Sequence, residues 1–169
     1  LQQSGDWAWL GMNASILGTL QRVFTTSPSF EPIITAPGVA RAWLAMAAMV
    51  GVVTLFVVVV DKSSAAVDRA FALLLIAAQL ISPVGWVYYM WLAVVPVIAV
   101  ALGEERVGLP RSAVGRSLFV IPLAGFFSPI TAPYYFEPSV LATATLGSVY
   151  FWGTITVWGC LTISGIAHA

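Results

Sequence analysis

Long apolar runs broken by short polar ones set the pattern of this chain. Ala42 to Val60 holds no charged residue, and neither does Ala70 to Gly103. A helix needs about 20 apolar residues to cross the hydrocarbon of a bilayer, so runs of this length predict membrane spans. Residues 1–37 read instead as a loop, punctuated by Pro28, Pro32 and Pro37. Within that loop, residues 14–24 predict one short helix. Asn13 stands where a cap accepts from otherwise unpaired backbone N–H groups. Ile16, Leu17, Leu20, Val23 and Phe24 then share one face, and Ser15, Gly18, Thr19 and Arg22 share the other. A helix of that kind lies on a membrane surface.

The predicted spans run over about residues 38–60, 70–82, 86–102, 118–131 and 140–166. Asp61, Lys62, Ser63 and Ser64 end the first in water, and Pro83 and Gly85 break the second. Pro96 kinks the third, and Pro122 and Pro129 interrupt the fourth. A polar loop over 104–116 and a turn-rich stretch over 132–138 connect the rest. The expected fold is all-α. An extracytoplasmic loop with a surface helix (1–37) precedes a polytopic transmembrane bundle of about five spans (38–169).

Composition agrees with the pattern. Of the residues, 60% are apolar and 8% charged, against about a quarter charged in an ordinary soluble domain. Seven basic and seven acidic residues cancel, so neither a polyanion nor a nucleic acid is an expected partner. Cys160 is the only cysteine and cannot form an internal disulfide. His168 stands alone at the tail, with no Cys/His spacing suited to a metal and no phosphate-cradling glycine loop. No cofactor or metal is expected. Apart from Arg41, the predicted spans contain no Asp, Glu, Lys or Arg, which argues against an ion pump or channel. The opening from Leu1 to Asp6 is polar and has no signal-peptide pattern. It reads as a loop continuing from an upstream segment, so the chain is expected to be the carboxy-terminal piece of a larger protein.

Basic residues orient the spans. Lys62, Arg69, Arg106, Arg111 and Arg116 fall on one side and only Arg22 and Arg41 on the other, which places the first group in the cytoplasm. Trp7, Trp9, Trp43, Trp86, Tyr88, Tyr89, Trp91, Tyr134 and Tyr135 then gather toward the outer face. Rings there either anchor one leaflet or stack on sugar or lipid. Arg22 and Arg41 either snorkel to headgroups or bind a specific anionic group such as a lipid-linked phosphate, which the guanidinium fork matches.

Two segments carry a resemblance. Asn13-Ala-Ser15-Ile-Leu-Gly18-Thr-Leu-Gln-Arg22, following Trp9-Leu-Gly11, is similar to an Asn-x-Ser-x-x-Gly segment. Leu80-Ile-Ser82-Pro83-Val-Gly85-Trp86-Val-Tyr88-Tyr89 is similar to a Ser-Pro-x-Ser-Trp-x-His-Tyr segment opening a further helix. In this order they resemble glycosyltransferase family 87, the polyprenyl-phosphate-mannose-dependent alpha-mannosyltransferases of the GT-C class, over residues 7 to 102. Gly85 stands where the family has a serine, and Val87 and Tyr88 stand near its acid and histidine.

The resemblance implies the carboxy-terminal part of a GT-C-like fold in a bacterial cell membrane. It implies a multi-pass glycosyltransferase moving a hexose, mannose foremost, from a polyprenyl-phosphate donor to a glycolipid or lipoglycan acceptor on the extracytoplasmic face. The catalytic acid would lie upstream, leaving none in this fragment. Asn13, Ser15, Arg22, Arg41, Ser82, Trp86, Tyr88 and Tyr89 would meet the donor phosphate or substrate, with membrane lipids as further partners. The competing expectation is a non-enzymatic membrane protein, a lipid or glycolipid transporter or an assembly subunit.

Overall fold

The computed structural model describes residues 13–26, 32, 34–89, 91–92 and 144–169. Several expected features lie outside them: residues 1–12, the later part of the span at 86–102, the 104–116 loop, the span at 118–131, the 132–138 turn and the first residues of the last span. Among the described residues the regular elements are all helices, with no strand. The helices are α1 (Ile16–Phe24), α2 (Val39–Val60), α3 (Ala66–Ile81) and α4 (Val149–Ile166). Short 3-10 turns occupy Val87–Tyr89 and Leu146–Ser148.

α2 matches its expected bounds closely. Gly38 precedes it, and Asp61 ends it in extended backbone. α3 starts earlier than expected, at Ala66, and so takes in Asp68 and Arg69. It stops at Ile81 because Ser82 precedes Pro83. The proline ring drives the residue before it out of the helical region, and Ser82 has ψ 139°. The residues expected to open the third span form a 3-10 turn, after which Trp91 and Leu92 are helical. The last helix begins at Val149 rather than near residue 140, since a 3-10 turn precedes it.

α2 and α3 form an antiparallel hairpin. At one end the Trp43 indole N–H donates to Ile81 O at 3.0 Å, and at the other Arg69 pairs with Asp61. α4 runs alongside α2 in the same direction. Its start lies by α1, where Arg22 reaches Ser148, and its end lies where Lys62 N donates to His168 O at 3.4 Å. Ala47, Val50, Thr54 and Val57 are the buried positions of α2, spaced three and four apart and hence on one face. Gly153, Val157, Leu161 and Gly165 make a matching stripe on α4. Val50, Val57, Leu73, Ile76, Leu80, Phe151 and Leu161 fill the core between the three helices. Mid-length, the Trp158 indole donates to Thr54 Oγ1 at 2.9 Å.

Polarity is inverted relative to a water-soluble bundle. Leu44, Met49, Val52, Leu55, Phe56 and Val59 of α2 point outward. Asn13, Ser15, Arg22, Thr54, Arg69, Gln79 and Thr154 point inward. Among the described residues two helices, α2 and α4, are long and apolar enough to cross a membrane, and only 22% of α2 is buried against the rest of the chain, against half of α4. That low fraction sets α2 apart from the core helix of a soluble protein, which is surrounded.

Three expectations are corrected here. Ser15, not Asn13, caps α1, its Oγ accepting from Gly18 N at 3.0 Å. The polar face of α1 (Gly18, Thr19 and Arg22) is buried, whereas Leu17, Leu20, Val23 and Phe24 are half-buried. A helix lying on a membrane surface would turn its polar face to water. Asp61 does not end α2 in water either: it is buried against Arg69.

Candidate functional site: the junction of the amino-terminal arm with the helix break

The break after α3 leaves backbone groups without helical partners, and the arm before α1 supplies them. Asn13 and Trp86 form an isolated antiparallel bridge, with Ala14 N donating to Gly85 O at 2.7 Å. The Asn13 side chain extends the pairing. Its Oδ1 accepts from Gly85 N at 3.0 Å and from Ser15 N at 3.1 Å, while Nδ2 donates to Pro83 O at 3.2 Å. Ser15 Oγ donates to the same carbonyl at 3.3 Å. From α3, Gln79 Nε2 donates to Trp86 O at 3.3 Å. Ser82 closes its own turn, accepting from Val84 N at 3.3 Å and donating to Val84 O at 3.1 Å.

Gly85 makes this fit possible. A Cβ there would stand 2.5 Å from Gln79 O and 3.2 Å from both Ser15 Cβ and Ser15 N. The glycine thus sits where the two segments pack together. Sequence reading could mark Gly85 as a breaker but not as a contact, because Ser15 lies far away along the chain.

Arg22 lies beneath the junction, buried with Thr19 and Asn13. Nη1 donates to Asn13 O at 2.9 Å, Nη2 to Thr19 Oγ1 at 3.0 Å and Nε to Ser148 Oγ at 3.2 Å. These three oxygens orient the guanidinium. Burial pushes its pKa down to about 9, and the group stays a cation at neutral pH.

Asn13, Ser15, Arg22, Ser82 and Trp86 come together here. Arg41 does not join them: it is exposed in the first turn of α2 and hydrogen-bonds to none of them among the described residues. Tyr88 and Tyr89 follow the junction directly but face outward, each more than half exposed. Pro83, a breaker in sequence, adds its carbonyl to the junction, while Gln79 and Ser148 join it with no sequence signal beyond their place near the break or in an apolar stretch.

A second polar cluster lies at the opposite end of the bundle. Arg69 Nη1 donates to Asp61 Oδ2 and, at 3.0 Å, to Ser63 Oγ. Ser63 N donates to Asp61 Oδ1 at 2.9 Å. Burial alone would raise the Asp61 pKa, but the Ser63 hydrogen bonds and the Arg69 charge together hold it below the ordinary carboxylate value. Among the described residues no group of acidic, histidine and cysteine side chains is placed to hold a metal ion. Comparison with protein-family models, curated proteins and solved structures finds no match to this chain.

Proposed function

We propose that this chain is the carboxy-terminal portion of a multi-pass membrane glycosyltransferase of the GT-C kind, with about five spans. It would carry a hexose, mannose foremost, from a polyprenyl phosphate to a glycolipid or lipoglycan on the extracytoplasmic face of a bacterial cell membrane. One observation carries the reading. The two segments that resemble the family, far apart in sequence, are joined by Asn13 at a single junction with a buried cation under it. The outward apolar face of α2 supports the membrane setting, since lipid accepts side chains that water rejects. Inward serine, threonine and glycine on α4 support it as well, because small residues allow close helix approach where lipid gives no hydrophobic drive.

Breaking a sugar–phosphate bond leaves a phosphate whose charge must be stabilised as it develops. Fixed cations in a partly dehydrated site do this best, because low dielectric strengthens their field. Arg22 acts in this reading through its field and its hold on Asn13, since Nη1 already carries Asn13 O. The test is transfer from a radiolabelled polyprenyl-phosphate sugar by the full-length protein. Arg22→Gln, which keeps polar contacts but no charge, should lower turnover about 100-fold, while Arg22→Lys retains part of it. Full turnover in Arg22→Gln removes Arg22 from the site.

A second reading, a non-enzymatic membrane protein, is favoured by a different observation. Asn13, Ser15 and Ser82 spend their polar atoms on the chain itself. No sugar transfer in the intact protein from any polyprenyl-phosphate donor would favour it.

A further inference from the structure

The last turn of α4 lies directly on the buried ion pair at the far end of the bundle. Gly165 is the contact. A Cβ added there would strike Val57 Cγ1 and stand 3.5 Å from Arg69 Cδ and 3.6 Å from Asp61 Oδ2. Three residues on, the chain is tied back by Lys62 N donating to His168 O. Beneath this cover Arg69 is 0% exposed. Nη1 serves Asp61 and Ser63, but Nε and Nη2 are buried with no acceptor among the described residues. A buried donor without a partner gains by reaching water, so one edge of the guanidinium favours an open cover while the ion pair favours a closed one.

We propose that the carboxy-terminal turn of α4 is a latch over the Asp61–Arg69 pair, shut only while Asp61 carries its charge. Arginine cannot shed its proton at any ordinary pH. Losing the Asp61 charge strands a cation in a dry site, and the latch must open to hydrate it. The converse is not symmetrical: without Arg69, Asp61 can take up a proton and stay buried. Removing both charges leaves nothing to hydrate, and the latch closes on an apolar seat.

The experiment uses the full-length protein in membrane vesicles, with Cys160→Ala and every cysteine outside this chain replaced, so that no other thiol reacts. Ser164→Cys places a thiol on the buried face of the latch, and Ala47→Cys places one in the α2 core as a second reporter; both native positions are buried. Labelling by a membrane-permeant maleimide is timed at each. Asp61→Asn keeps the shape and an oxygen for Ser63 N, and should speed labelling at position 164 about tenfold or more. Arg69→Met should stay near the parent rate, and Asp61→Asn with Arg69→Met should return to it. Parent-like labelling in Asp61→Asn, or a double variant as fast as Asp61→Asn, would overturn the latch. Equal acceleration at positions 47 and 164 would overturn it too, since the pair would then hold the whole bundle and not its last turn.

Discussion

Arg22 donates its Nε hydrogen to Ser148 Oγ across 126 residues of sequence. This bond joins the arm before the first span to the turn that opens α4. The cation at its centre is buried, and the serine is buried with it. Ser148→Ala would remove one acceptor from a buried cation. The expected cost is about 1–3 kcal/mol, read as a lower unfolding midpoint in detergent. Ser148→Thr, which restores the hydroxyl, should recover most of it.

Gly85 gives a second prediction. Gly85→Ala forces a methyl against Gln79 O and the Ser15 backbone, and neither can move aside as a flexible side chain would. A loss of about 1–3 kcal/mol follows from overpacking. Gly85→Ser, the residue found in the resembled family, should cost at least as much in this chain. Thermal unfolding of both variants checks the order.

At the far end, Gly165→Ala drives a methyl into Val57. A destabilisation of about 1–3 kcal/mol is expected. Val57→Ala clears the space, so Gly165→Ala with Val57→Ala should be more stable than the two single losses added together. Strict additivity would show that the two positions do not meet.

Asp61 sets an acid limit. Its pKa in the folded chain lies below the ordinary 3.8, so the folded state holds its proton less tightly than the unfolded state. The pair's stabilisation is therefore complete above the ordinary value and is lost as pH falls through the folded one. Melting followed from about pH 6 down to about pH 3 should show the parent losing stability at the acid end. Asp61→Asn should start lower and change less over the same range.

Some of this was legible in advance. The run from Val39 to Val60 has no charge and is bounded by Gly38 and Asp61, so length and polarity fixed α2. The periodicity within residues 14–24 gave α1, but amphipathicity names two faces without naming the medium each one meets. Hence Arg22 was expected at a surface and lies in the interior. Asp61 was misread because Lys62, Ser63 and Ser64 follow it, and a polar cluster next to a span reads as solvated. Its partner Arg69 lies in the first turn of the next helix, which starts at Ala66, about one turn before the apolar run. Ser148 was beyond reach, since nothing near it in sequence betrays a cation 126 residues away.

The Arg22–Ser148 bond also dictates an order of assembly. A ribosome releases Arg22 long before Ser148, and at roughly 5–20 residues per second the arginine waits some seconds for its hydroxyl. Trp86 emerges in the meantime, so Asn13 and the α3 break can pair first and hold the arm against the nascent hairpin. The arm before α2 is thus sealed to α4 only after α2 and α3 have been made.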